Sequence, residues 1–142
     1  MSTVFTKIIE GEIPGRFVWQ DERCVGFLSI DPLAQGHTLV VPREEHDHWV
    51  DLPEDLAAHL MVVSQRIGRA IDTVWRPARV GQMIQGFEVP HTHVHVWPAE
   101  TVEQFQFVNV LRDPDPAWMD EAAERIRAAL VEAGHGSCVP RA

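Results

Sequence analysis

Between Val89 and Pro98 the chain reads Val-Pro-His-Thr-His-Val-His-Val-Trp-Pro, so that His91, His93 and His95 alternate with Thr92, Val94 and Val96. A period of two marks an extended strand, which sends successive side chains to opposite faces. The segment therefore has an imidazole face and an apolar face, and the apolar face needs a core to lie on. Eight histidines placed at random in a chain of this length would produce such a run roughly 0.02 times. Along a strand, side chains two residues apart stand roughly 6.5–7 Å from one another, too far for ring contact but suited to gripping one ligand.

Three imidazoles on one face repel when protonated and must stay largely neutral, which is hard to justify as packing where Val or Leu would serve. Two chemistries fit. His-x-His on a strand suits zinc, which then wants a third protein ligand and an open position. Imidazole also serves as nucleophile and proton shuttle, since its unperturbed pKa of about 6.5 makes both forms available near neutrality. Scattered singly, His46, His48, His59 and His135 read as surface residues or hydrogen-bonded core residues.

Charge narrows the partners. With 12 Lys+Arg against 21 Asp+Glu, the formal net charge is −9, which disfavours an extended nucleic acid whose affinity comes from neutralising many phosphates. One small nucleotide remains compatible, because backbone N–H groups and imidazoles can hold a single phosphate. Cys24 and Cys138 are too few for a disulfide framework and lack ligand spacing. Met1 to Gln20 has no basic segment leading into an apolar one, and no stretch approaches the ~18 apolar residues of a membrane span. A single cytoplasmic domain with no membrane contact is expected.

Elsewhere the pattern alternates between strand and helix. Ser2-Thr3 ahead of Val4, Phe5, Ile8 and Ile9 predicts a short capped docking helix stopped by Gly11 and Pro14. Residues 16–20 and 24–30 predict a hairpin, and 36–42 a third strand bounded by breakers. Leu56, Leu60, Val63, Ile67, Ile71 and Val74 mark one face of a long helix running from Pro53 to before Pro77. Val80–Gln85 and Val89–Trp97 predict two more strands separated by a turn or bulge at Gly86. Trp118, Ala122, Ile126, Leu130 and Ala133 predict a last helix closed by Gly134, followed by a frayed tail from Ser137 to Ala142. The class is α+β: about five antiparallel strands, one long helix packed on them, a short N-terminal helix and a C-terminal helix.

His91-Thr92-His93-Val94-His95-Val96-Trp97 resembles the signature of the histidine-triad (HIT) family. Val4 to Pro14 is similar to that family's first helix, and Gly36 to Pro42 to its third strand, so the resemblance spans roughly residues 4 to 98. It implies a HIT domain over residues 1–110 with a C-terminal helical extension and tail over 111–142. It further implies hydrolysis or transfer at the α-phosphate of a purine nucleoside phosphoramidate or related dinucleotide, without metal or other cofactor, by a homodimer. In that scheme His93 attacks phosphorus, its other nitrogen donating to the His91 carbonyl; His95 bonds a phosphate oxygen and assists the leaving group. His37 completes the network behind the triad.

The resemblance also assigns a nucleotide pocket to Phe5, Ile8, Phe27, Ser29, Ile30, His37, Gly86, Glu88 and Val89. Phe5, Ile8, Phe27 and Ile30 would sandwich the base, although each singly is equally ordinary core. Two positions depart from the family. Ser29 stands where an acidic or amide side chain usually grips the ribose, and Glu88 replaces a phosphate-contacting hydroxyl. A carboxylate beside a phosphate is repulsive, so a changed substrate preference, a leaving group bearing an amine, or a lower rate is expected. Thr3 and Thr6 occupy the Cys-x-x-Cys places of a structural zinc site carried by some bacterial members, which removes the thiolates. The alternatives are a nucleotide-binding signalling module with little catalysis and a His-x-His metal-binding protein.

Overall fold

The computed structural model describes residues 2–141. Helix α1 (Val4–Ile9) opens with Thr3 as N-cap, its hydroxyl accepting from the Thr6 N–H at 3.1 Å. Strands β1 (Phe17–Gln20), β2 (Cys24–Leu28) and β3 (Thr38–Pro42) follow. After α2 (Glu54–Trp75) come β4 (Arg79–Met83), β5 (Val94–Ala99) and α3 (Pro116–Glu132). The five strands form one antiparallel sheet in the order β1-β2-β3-β5-β4.

Both faces of this sheet are covered, which explains why β2, β3 and β5 are buried at every residue. On one face Cys24, Leu28, Val40, Val94 and Val96 meet Leu56, Leu60, Val63, Ile67 and Ile71 of α2 and Ala122, Ile126 and Leu130 of α3. On the other, Val25, Phe27, Leu39 and Val41 pack with Phe5 of α1, and Leu33, Trp97 and Ala99 with Phe105, Phe107 and Val110. α2 ends at Arg76 in the left-handed region (φ 45°), one residue before Pro77.

Three expectations are corrected. The histidine strand begins at Val94 rather than Val89, because the proline nitrogen of Pro90 cannot donate and the His91 N–H turns back to the Val89 carbonyl at 2.8 Å. Thr92 then ties the segment to another loop, its N–H and hydroxyl both donating to the His46 carbonyl at 2.7 and 2.8 Å. In consequence β4 and β5 are joined by a ten-residue loop (84–93) rather than by a turn at Gly86. The tail is not frayed from Ser137 to Val139: a single 3-10 turn spans Gly136–Cys138, and Cys138 and Val139 pack on the main core. Ala142 lies outside the described residues.

Candidate active site

The sheet face away from α2 carries a cavity of about 640 Å³. α1 contributes Phe5 and Ile8, β2 and the turn after it Phe27, Ser29, Ile30 and Asp31, and the loop ahead of β5 Gln85, Glu88, Val89 and His93. His37, Leu39 and His95 form its floor. The lining therefore combines apolar side chains with imidazoles. Of the residues expected to bind nucleotide, Gly86 is not among those lining the cavity; it shapes the loop instead, at φ +79° between Gln85 and Glu88. Ile30 borders the cavity while 75% exposed, so it sits at the mouth.

The three histidines do not share one open face. His91 is fully buried and does not border the cavity, whereas His93 and His95 do. Their rings also stand closer than a regular pleat dictates, 4.8 Å between centroids for His93 and His95, because His93 precedes the strand and is free to lean. Phe5 meets the His93 ring edge-on at 4.8 Å, and Phe107 closes on His95 at 4.8 Å.

Hydrogen bonding fixes the proton on every ring. His93 Nδ1 lies 2.8 Å from the His91 carbonyl, which can only accept, so Nδ1 carries the proton and Nε2 keeps a lone pair. His37 Nδ1 accepts from the Leu33 N–H at 2.9 Å; its proton is therefore on Nε2, which donates to His95 Nδ1 at 2.9 Å. His95 is left with a proton on Nε2. His91 Nε2 donates to the Pro42 carbonyl at 2.7 Å, and its Nδ1 accepts from the Thr3 hydroxyl at 2.6 Å. Burial keeps all four rings neutral: it pushes His37 and His95 down to about 3, and lowers His91 and His93 against the opposing pull of the carbonyls they bind.

Thr3 and Thr6 do more than cap α1. The Thr6 hydroxyl and the Thr3 N–H both donate to Glu45, the latter at 3.0 Å, so a hydroxyl and carboxylate cluster occupies the ground beside His91. Elsewhere, Asp21, Cys24 and His59 bring possible ligand atoms within 4.8 Å of one another. That set reads as a structural knot. Asp21 accepts from the Trp19 indole, the Arg23 and Cys24 N–H groups and His59, all at 2.7–2.8 Å. Burial alone would raise its carboxyl, but these bonds hold it at about 2, while burial pushes the Cys24 thiol upward and away from the thiolate a metal needs.

The C-terminal third supplies a wall of the cavity. Phe107, Val110, Arg112 and Asp120 border it; Arg112 pairs with Asp31 at 3.0 Å and Arg16 Nε with Asp120 at 2.7 Å, both across its lip. The Leu111 N–H donates to the Pro32 carbonyl at 2.8 Å, fastening this segment over the turn after β2. No periodicity announces residues 102–112, because they form two short 3-10 turns (Val102–Phe105 and Phe107–Asn109). Their aromatic residues are the one available hint.

A HIT domain model matches residues 10–102 of this sequence. The chain belongs to the HIT family. That family comprises nucleotide-binding hydrolases and transferases. This HIT protein is 32% identical to the chain in the crystal structure of a Zn-bound histidine triad family protein from Mycobacterium smegmatis, with a TM-score of 0.80, covering 96% of this chain and 98% of that one. It is 32% identical to protein hit of Bacillus subtilis over 67% of this chain and 69% of that protein. Adenosine 5′-monophosphoramidase of Saccharomyces cerevisiae is 31% identical over 67% of this chain and 61% of that protein. Among the described residues, no helix is long and apolar enough to cross a membrane.

Proposed function

We propose that this HIT protein hydrolyses purine nucleoside phosphoramidates at the α-phosphate through a nucleotidyl intermediate on His93. One observation carries this reading. His93 offers the cavity a lone pair, and His95, 4.8 Å away between centroids, offers it an N–H. A nucleophile beside a donor is what attack on a phosphoryl group requires, whereas a metal would require converging lone pairs. The relationship to the yeast adenosine 5′-monophosphoramidase supports the same substrate class.

In this scheme Nε2 of His93 attacks phosphorus in line, forming an N–P bond as the bond to the leaving nitrogen breaks. The His91 carbonyl, bonded to Nδ1–H, offsets the positive charge that develops on the ring. His95 Nε2–H holds a phosphoryl oxygen. Water supplies both halves of the balance, a proton to the departing amine and hydroxide to phosphorus, releasing the nucleoside monophosphate and restoring neutral His93. Phe5, Ile8, Phe27 and Leu39 provide the apolar surface for a base, and Asp31 joins Ser29 as an acceptor for ribose hydroxyls. Residues 1–110 carry this machinery, with 111–142 as an extension that contributes part of the wall.

We further assign a cytoplasmic homodimer. Edge strand β4 and the outer face of α2, where Met61 and Val62 are exposed, offer an unpaired ladder beside apolar side chains. Incubation with adenosine 5′-phosphoramidate, quenched at neutral pH for intact-protein mass spectrometry, tests the chemistry. A transient adduct of one nucleotidyl group, absent in His93→Ala, is expected. Tight AMP binding with neither adduct nor turnover would instead make the chain a nucleotide-binding module.

A further inference from the structure

Five carboxylates and guanidinium groups border the cavity: Arg16, Asp31, Glu88, Arg112 and Asp120. Four cancel in pairs, Arg16 with Asp120 at 2.7 Å and Arg112 with Asp31 at 3.0 Å. Glu88 has no ion-pair partner among the described residues. Nor is it placed at random. Val89 beside it packs on the Phe5–Phe27 cluster and accepts from the His91 N–H at 2.8 Å, so the carboxylate is anchored on the segment that delivers the triad. It borders the same cavity as His93, five residues ahead of it on the loop that leads into β5.

An unpaired carboxylate facing an incoming phosphate is repulsive unless a cation intervenes. Here the cation has to arrive with the substrate. At neutral pH a purine nucleoside carries none and the phosphoryl group is anionic, so the leaving group is the part that can bring it. We propose that Glu88 selects phosphoramidates whose leaving amine bears a second, protonated amino group beyond the scissile P–N bond, as a diamine or a basic side chain does. The inference rests on the phosphoramidase reading above and sharpens it. Glu88 acts as a specificity residue that pairs with the departing group, rewarding a cation and rejecting an anion.

Three adenosine 5′-phosphoramidates of matched length, made from 1,4-diaminobutane, butylamine and 4-aminobutyrate, put this to the test. For the wild type, kcat/KM should favour the diamine over butylamine by about tenfold and place aminobutyrate last, with the spread shrinking as salt is added. Glu88→Gln should collapse the diamine advantage to within about twofold, and Glu88→Lys should move aminobutyrate to the front. Glu88 is exposed, so neither change should disturb folding, which circular dichroism checks. Equal rates for the three substrates in the wild type, or an unchanged ranking in Glu88→Gln, would overturn the assignment of Glu88 while leaving phosphoramidase activity intact. No turnover of any of them, with no adduct on His93, would overturn both.

Discussion

The Thr3 hydroxyl lies 2.6 Å from His91 Nδ1, and the other nitrogen of the same ring donates to the Pro42 carbonyl at 2.7 Å. The first histidine of the triad is thus pinned between the start of α1 and the end of β3, with neither nitrogen free for chemistry. Its contribution is its carbonyl, which accepts a hydrogen bond from the His93 Nδ1–H. The start of a six-residue helix therefore holds the backbone that orients the His93 ring.

Thr3→Val should reveal this. The change keeps the shape, strands a buried imidazole nitrogen and removes the cap of α1, for a loss of about 1–3 kcal/mol in urea denaturation. The kcat for phosphoramidate should fall several-fold with KM little changed, and Thr3→Ser should restore both. A fall in KM-dependent binding alone would argue that α1 serves only the base pocket.

Stability should decline on the acid side earlier than carboxylates can explain. His37 and His95 are pushed down to about 3 by burial, whereas in the unfolded chain they titrate near 6.5. Between those values the unfolded chain binds protons that the native one refuses. Their contribution is complete above pH 6.5 and is lost as pH falls toward 3. Asp21, held at about 2, adds its loss only below the ordinary Asp value of about 3.9. Urea midpoints measured from pH 7 to 5 should therefore already fall, and His37→Gln should make the slope shallower; a level profile over that interval contradicts the neutral pair.

Gly36→Ala should damage both stability and catalysis. Gly36 has φ +96°, and a Cβ there would lie 2.6 Å from the Trp75 ring, which Gln35 holds in place through the indole N–H at 3.1 Å. Left-handed strain and the clash together should cost about 2–4 kcal/mol by thermal or urea unfolding. Since His37 is the next residue, the donor to His95 shifts as well, and kcat should drop at temperatures where the variant remains folded.

Phe107→Ala should loosen the wall of the cavity beside His95. Phe107 packs on His95 at 4.8 Å and belongs to the Trp97 cluster. Truncation should raise KM several-fold and narrow the rate differences among leaving amines of different size, with a stability loss of about 1–3 kcal/mol because the residue is only partly buried. Steady-state kinetics on a series of alkyl phosphoramidates would record it.

Much of this was legible because it was periodic. The α2 stripe from Leu56 to Ile71 announces which side of the helix faces the core, and the alternation of the histidine segment announces that Val94 and Val96 pack there; both are found as expected. The strand start was misplaced because period two continues through His91 and His93, although Pro90 and the His46 carbonyl withdraw that stretch from the ladder. Asp31 and Arg112 were invisible for a different reason. They meet across more than seventy residues, Arg112 and Asp31 at 3.0 Å, and no local pattern encodes such a meeting. In the sequence Thr3 reads as a helix cap and, with Thr6, as a missing thiolate, whereas the two hydroxyls also hold His91 and Glu45.

The bond from the Leu33 N–H to His37 has a wider reach than its size suggests. A main-chain amide can give a proton and never take one, so the row Leu33, His37, His95 points one way, toward the cavity. Mutation can delete either imidazole from that row, but reversing its polarity would require rebuilding the turn itself. The orientation of the His95 proton is thus set by the main chain, independently of the side chains that line the rest of the cavity.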